Sequence, residues 1–237
     1  MQRRRRIRLL WAALAALALA SGCTTDAGGS MIIVQNQVPG PDCVISATQS
    51  TTFRDNGRID INAGGGYLFT PLVQSLVQDS SDQSLPRVIA MRGADVEISF
   101  TSGPFTADEE AGLREDRLTR FSTAFSGSLF PRALTSFSFV VVPIGLMDRL
   151  AVAMGPGATA QLAVEVSVFG DLDGSDVESV PFIYPIEVCN GCLTIDNGDC
   201  AGLGEDFVPR DGNPCNPAQD EAADCCTTGG DVVCLAP

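Results

Sequence analysis

The distribution of cysteine constrains this chain more strongly than any other feature of its sequence. Most of its nine cysteines stand in the C-terminal segment 189–237. These seven are Cys189, Cys192, Cys200, Cys215, Cys225, Cys226 and Cys234. The same segment is rich in Gly, Asp, Asn and Pro and poor in apolar residues, so it cannot bury a hydrophobic core of its own. We therefore expect disulfides to hold it as an irregular C-terminal tail.

A second feature, at the start of the chain, is a short apolar run between arginines and a cysteine. Arginines precede the run Leu9–Ala20, which ends in the sequence Leu19-Ala20-Ser21-Gly22-Cys23. A transmembrane helix needs about 20 apolar residues, so this run is too short to be a permanent anchor. The segment resembles bacterial lipoprotein signal peptides, in which the chain is cut before the cysteine of a lipobox. Ala20 departs from the family pattern, which usually has a larger aliphatic residue at that place.

The resemblance implies a location and an anchor. Residues 1–22 would be a signal peptide, Cys23 would carry the acyl chains (palmitate among them), and residues 23–30 would form a flexible tether. The protein would then be held at the lipid bilayer of the cell envelope through acylated Cys23. The absence of Asp after Cys23 favours the outer membrane, on its periplasmic or surface face. The alternative is an ordinary secretory signal in which Cys23 is incidental.

Lipidation of Cys23 would leave eight cysteines, an even number. Exported proteins keep their disulfides, so we expect up to four among these eight. Cys43 alone stands outside the tail, and an odd set of tail cysteines cannot pair completely within itself. We therefore expect Cys43 to reach across to the tail. Cys225 and Cys226 are adjacent, too close for a relaxed bridge, so each should have another partner.

The sequence Cys189-Asn190-Gly191-Cys192 has the spacing of a C-x-x-C motif. A thioredoxin-like redox pair needs its first cysteine at the N-terminus of a helix. This motif instead follows a strand pattern and precedes the apolar Leu193-Thr194-Ile195. A structural disulfide is therefore favoured, with redox chemistry and zinc ligation by tail cysteines left open as alternatives.

Charge and composition exclude several classes of function. Without residues 1–22 the chain carries ten arginines against 29 acidic residues, a net charge of −19. Such a surface repels phosphate backbones, so nucleic acid is not an expected partner. The chain has no His and no Lys, which excludes Ser-His-Asp and Cys-His catalysis, Schiff-base lysines and phosphate-loop lysines. Paired carboxylates remain as an enzymatic option, but no two acids stand out, and we expect no enzyme and no cofactor.

Short segments with alternating apolar residues predict an all-β fold over residues 31–188. The clearest are Met31–Val38, Ala158–Phe169 and Val177–Val188, where every second residue is apolar. About nine such strands with little helix predict an antiparallel β-sandwich of immunoglobulin or fibronectin type. One or two short helices are expected, starting at Thr106 and Ile144. With the Cys-rich acidic tail 189–237, this plan resembles that of cell-envelope lipoproteins, a resemblance that carries no activity with it.

Four finer expectations concern strand boundaries. Cys43–Ala47 is a candidate short strand. A hairpin around Arg92-Gly93 is predicted, with its strands at Arg87–Met91 and Ala94–Thr101. One strand is predicted at Ala133–Pro143. Pro181 and Pro185 favour an edge position for the strand that holds them, because proline cannot donate to a ladder.

The loop 170–176 contains candidate calcium ligands, Asp171, Asp173 and Asp176. Alternating carboxylates beside a glycine suit calcium, yet the spacing does not fit an EF-hand, and a plain hairpin turn explains the same residues. The sequence thus favours a cell-envelope lipoprotein with a non-enzymatic structural or protein-interaction role and an unidentified envelope or extracellular partner. The alternatives are an extracellular ligand-binding module for glycan or calcium, using loop 170–176 and the tail, and a carboxylate hydrolase.

Overall fold

The computed structural model describes residues 29–78, 87–204, 206–210 and 212–235. Cys23 and the proposed signal peptide lie outside them. The described chain is mostly β. Its strands are β1 (Met31–Gln37), β2 (Phe53–Arg54), β3 (Gly57–Asp60), β4 (Tyr67–Phe69), β5 (Pro71–Ser75), β6 (Ile89–Ser102), β7 (Arg120–Leu129), β8 (Leu134–Ser136), β9 (Phe139–Val142), β10 (Thr159–Leu172), β11 (Ser175–Glu178), β12 (Phe182–Cys189), β13 (Thr194–Asp199), β14 (Ala223–Thr228) and β15 (Asp231–Cys234). Its α-helices are α1 (Ala107–Glu115) and α2 (Ile144–Ala153), and neither has the length or apolarity to cross a membrane.

The strands form several sheets. The largest has the order β3-β12-β10-β6-β7, with β11 paired to β10. A four-stranded sheet has the order β2-β1-β5-β8, β4 pairs with β9, and the tail forms the sheet β13-β14-β15. Neighbours are antiparallel except β3 with β12 and β13 with β14. The expectation of a mostly β chain with one or two short helices is therefore confirmed.

One hydrophobic core joins the largest sheet to the four-stranded sheet and to α2. Alternation along β10 puts Leu162, Val164 and Val166 into this core, while Glu165 between them is exposed. Met31 and Val73 enter the same core from the four-stranded sheet. The tail contributes a second, small cluster around Leu193, Ala218, Ala223 and Cys225. The tail thus depends on cross-links and on contacts with the sheets, as its composition indicates.

Two predictions are wrong: the short strand Cys43–Ala47 and the hairpin around Arg92-Gly93. Residues 41–43 form a 3₁₀ turn in which Asp42 and Cys43 both have a φ of 57°, which is outside the β region of a regular strand, and Val44 forms only an isolated bridge with Gly40. The expected hairpin at Arg92-Gly93 is one continuous strand, β6, with a bulge beside Gly93. A Cβ on Gly93 would lie 2.3 Å from the carbonyl oxygen of Thr123, so this glycine allows close approach of β7 rather than a turn.

Two predicted strand positions also need correction. The strand β12 is not an edge strand, because β3 lies on its far side. Pairing with β3 begins only at Ile186, so in the described chain no strand adjoins Pro185 on the β3 side. The N–H that Pro185 lacks therefore costs no hydrogen bond between β12 and β3. The segment 133–143 is divided between β8 and β9, which belong to different sheets.

Candidate functional site

The tail is joined to the largest sheet through the buried carboxylate of Asp60, at the end of β3. Asp60 is 0% exposed. It accepts hydrogen bonds from the backbone N–H groups of Asn62 (3.0 Å), Gly191 (2.9 Å), Leu193 (2.8 Å) and Thr194 (3.0 Å), and from the Thr194 hydroxyl (3.0 Å). Burial alone would raise the pKa of Asp60, but the four backbone donors outweigh it and hold the pKa below its usual value.

The C-x-x-C motif lies against this carboxylate. Cys189 and Cys192 form a disulfide, and an Asp60 oxygen lies within 4.8 Å of both sulfurs. Cys189 ends β12 rather than beginning a helix, and an adjacent anion disfavours the thiolate that redox exchange needs. Among the residues that the structure describes, this is the one set of three ligand-type groups that converges. It does not suit a metal, because the sulfurs are bonded to each other and Asp60 is fully occupied.

Three further disulfides involve the remaining cysteines. They are Cys43–Cys215, Cys200–Cys226 and Cys225–Cys234. Cys43 thus reaches the tail as expected, and the adjacent cysteines 225 and 226 have different partners. Each of the eight cysteines after Cys23 is bonded, which agrees with an oxidising compartment.

The tail also covers one edge of the largest sheet. Gln219 forms an isolated bridge with Ile59 of β3, and the Asp220 N–H donates to the Arg58 carbonyl at 2.7 Å. The Gln219 side chain exchanges two 2.8 Å hydrogen bonds with the backbone of Leu68 in β4. The segment 218–220 therefore acts as a partial strand and satisfies backbone groups that an edge would leave open.

Under this segment lies a buried chain of polar groups that includes the only two tyrosines of the protein. Asn36 donates to the Tyr184 hydroxyl (2.9 Å), which contacts the Tyr67 hydroxyl (3.1 Å), and Tyr67 donates to Asp220 (3.1 Å). Arg54 forms an ion pair with Asp220 at 3.3 Å. Burial raises the pKa of Asp220, and it raises the pKa of Tyr184 to about 12. The group is mostly buried and holds β1, β4, β12 and the tail together.

The predicted calcium ligands of loop 170–176 lie in a tight hairpin between β10 and β11. Asp173 and Gly174 have positive φ angles of 55° and 82°, which is the geometry of a two-residue hairpin turn. Asp171 accepts the Gly174 N–H at 2.9 Å, Asp173 pairs with Arg87 at 2.7 Å, and Asp176 pairs with Arg92. Each carboxylate has its own partner and the three do not converge, so the structure agrees with the plain hairpin turn.

A groove of about 740 Å³ lies on the solvent face of the largest sheet. Its lining residues come from β6, β7, β10, β11 and the α1–β7 connection. They are Asp95, Val96, Glu97, Arg117, Arg120, Phe121, Ser122, Glu165, Ser167 and Glu178. Four of them are carboxylates and two are arginines, so the groove is acidic. We call it the acidic groove.

The register of the strands brings these carboxylates together. Glu97 on β6 stands directly opposite Glu165 on β10, a like-charge pair that destabilises a sheet. Glu97 contacts Arg114 at 2.8 Å and Arg120 at 3.9 Å. The side chains of Glu165 and Glu178 are exposed, and their carboxylates have no hydrogen-bond or ion-pair partner in the described chain. Two negative charges of the groove are therefore unpaired.

This arrangement suits binding of a cation better than hydrolysis. A carboxylate hydrolase needs one protonated acid beside one ionised acid, and Glu97 is already engaged by two guanidinium groups. Alternation along β6 puts Asp95 and Glu97 on the solvent face, but no local pattern of the sequence indicates a groove there. Which acids of β10 and β11 would stand beside them depends on strand pairing, for which a single sequence has no signal.

Comparisons with family models, curated proteins and solved structures found no match to this chain. The inference of function therefore depends on the residues and geometry of the chain alone.

Proposed function

We propose that this chain is a lipid-anchored protein of the cell envelope with a non-enzymatic interaction role, and that the acidic groove is the surface that binds its partner. Acylated Cys23 would hold the domain by its N-terminus at the outer membrane. The four disulfides support an exported location. We further propose that the six-stranded and four-stranded sheets form an immunoglobulin-like sandwich, for which their shared core gives support.

The observation that carries the interaction role is the pair of unpaired carboxylates in the acidic groove. Glu165 and Glu178 lie in a concave surface on a chain of strongly negative net charge. Clefts lined by one sign of charge concentrate ligands of the opposite sign. The partner is therefore expected to be a basic polypeptide segment, whose cationic side chains replace the partners that these carboxylates lack.

The anchor is tested by the intact mass of the mature protein before and after reduction. A diacyl or triacyl mass on Cys23, with eight protons gained on reduction, is the expected result. Cys23→Ser should move the protein from the membrane fraction to the soluble fraction. An unacylated N-terminus at residue 23, or an unmodified residue 1, would contradict the anchor without bearing on the groove.

The groove is tested with a fluorescein-labelled ten-residue peptide of alternating arginine and threonine, by anisotropy at low ionic strength. The double variant Glu165→Gln/Glu178→Gln should weaken binding by about tenfold or more, since two charge contacts are lost. The matched control Asp148→Asn/Asp231→Asn removes the same charge from exposed positions outside the groove and should bind nearly as the wild type does. Equal losses in both doubles would mean attraction to net charge alone and would contradict the groove.

The calcium alternative has its own measurement. Thermal unfolding with and without millimolar calcium should give the same midpoint, because each carboxylate of loop 170–176 already has a partner. A rise of several degrees with calcium would favour the ligand-binding alternative instead.

A further inference from the structure

The two edges of the largest sheet differ in how their backbone groups are satisfied. At the β3 edge, the tail segment 218–220 supplies the missing partners. At the other edge, β7 pairs with β6 and, in the described chain, with no strand on its outer side. An edge of this kind is a template for another extended chain unless it is blocked.

The register shows which groups of β7 point outward. The Ile98 N–H donates to the Thr119 carbonyl at 2.7 Å, so the pair 98/119 is hydrogen-bonded and the pairs alternate from there. The backbone N–H and C=O groups of Arg120, Ser122 and Ala124 therefore face away from β6. None of them has a hydrogen-bond partner among the described residues.

Natural edge strands are usually protected by shortness, proline or charged side chains. The strand β7 is ten residues long, and between Phe121 and Leu129 it contains no proline and no charged residue. Its solvent-face side chains at Ser122 and Ala124 are small and exposed, so an added chain meets no steric barrier there. The edge thus has the properties of a docking strand rather than of a protected one.

We propose that the basic partner segment binds as an added strand along β7, with alternate side chains over the side of the acidic groove that β6 and β7 form. The inference deepens the proposed function and depends on it. The edge and the groove are continuous, because Arg120, Phe121 and Ser122 of β7 also line the groove. An added strand lies about 4.8 Å from β7, and every second side chain then projects onto the face that carries Asp95 and Glu97.

An open edge could bind a second copy of this chain or a different extended segment, and charge distinguishes between them. A second copy of this chain would bring two acidic grooves side by side, each with four carboxylates against two arginines. A basic segment brings the opposite charge to the same face, and its main chain supplies the donors and acceptors that β7 lacks. The occupant is therefore a basic extended polypeptide.

The first test removes a β7 backbone N–H that faces away from β6, so the hydrogen bonds between β6 and β7 stay in place. Ala124→Pro removes one outward donor and places a ring at the edge, whereas the control Ala124→Ser keeps the donor and the size. With the alternating arginine–threonine peptide as probe, the proline variant should bind at least about tenfold more weakly than wild type. The serine variant should bind as wild type does, and the urea unfolding midpoints of all three check that they fold.

A second measurement needs no variant. Amide hydrogen exchange of the wild-type protein, with and without the peptide, should show new protection at Ser122 and Ala124. Unchanged exchange there, while the peptide is bound, would overturn strand addition.

The outcomes separate the two proposals. Full binding by Ala124→Pro together with loss of binding by Glu165→Gln/Glu178→Gln would leave the acidic groove as the binding surface and overturn strand addition. No binding of the peptide to the wild type would refute both. A concentration-dependent dimer in sedimentation, dispersed by Ala124→Pro, would identify a second copy as the occupant and overturn the basic segment.

Discussion

Replacement of Asp60 by asparagine tests how the tail is held to the largest sheet. The two carboxylate oxygens divide five donors between them: the N–H groups of Asn62 and Gly191 reach one oxygen, and three donors from Leu193 and Thr194 reach the other. An asparagine has one acceptor oxygen, so in either orientation its NH₂ group faces at least two donors. Each buried donor left unsatisfied costs about 1–3 kcal/mol, so Asp60→Asn should lower the free energy of unfolding by about 3 kcal/mol.

The cost should depend on pH in a definite direction. The folded pKa of Asp60 lies below its ordinary value of 3.8, so the ionised form is the one that stabilises the fold. Its contribution is complete above the unfolded pKa and is lost as pH falls through the lower folded pKa. The difference between wild type and Asp60→Asn should therefore be constant near neutral pH and shrink below about pH 4.

Urea unfolding at pH 7 and pH 3 measures the loss of unfolding free energy and its dependence on pH. Thermal unfolding at pH 7 is a second measurement. At about 2–4 °C per kcal/mol for a domain of this size, the thermal midpoint of Asp60→Asn should fall by about 6–12 °C. Asp199→Asn is the matched control. Asp60 and Asp199 are each the N-cap of a 3₁₀ helix (61–63 and 200–202), and each accepts a helix N–H at 3.0 Å, but Asp199 is exposed. Similar small losses in both variants, or a loss at Asp60 that does not change with pH, would refute the role assigned to its buried charge.

Two other changes have predicted effects on stability. Loss of the Cys43–Cys215 disulfide, which closes a loop of 172 residues, should cost about 5 kcal/mol, while loss of Cys189–Cys192, with a separation of 3, should cost about 2 kcal/mol. Urea titration of the two double alanine variants compares them, and a reversed order would contradict the loop-closure account. Tyr67→Phe removes the hydroxyl that donates to the buried tail carboxylate and should cost about 1–3 kcal/mol. Unchanged unfolding of this variant at pH 7 would mean that the polar chain is not stabilising.

Local patterns of the sequence predicted individual elements well. The alternation in Ala158–Phe169 corresponds to β10, and Thr106 caps α1 through the reciprocal bonds with Glu109 that its spacing permits. These predictions hold because strand alternation and helix capping each depend on residues that lie only two to four positions apart in the sequence. Gly93 shows where local reasoning fails: a glycine serves equally for a turn and for close approach, and the choice here depends on β7, about thirty residues away.

The candidate site was predicted less well, for the same reason. Glu97 and Glu165 each looked like an ordinary solvent-facing acid, and only the β6–β10 register makes them neighbours. Conversely, Asp171, Asp173 and Asp176 stand close in sequence, yet the hairpin turns them towards separate partners. Proximity along the chain is thus a poor guide to which charges converge on a surface.

By itself, the sequence was sufficient for the properties that depend on residue type and count. It excluded histidine and lysine chemistry, predicted a β-rich chain with one or two short helices, and indicated that Cys43 pairs with a tail cysteine. The folded chain added the properties that depend on distant contacts: the tail segment 218–220 closes one sheet edge, β7 leaves the other open in the described chain, and four acids line one groove beside it. Strand pairing creates these features, since it joins residues that lie far apart in the chain and carry no local mark of their future neighbours.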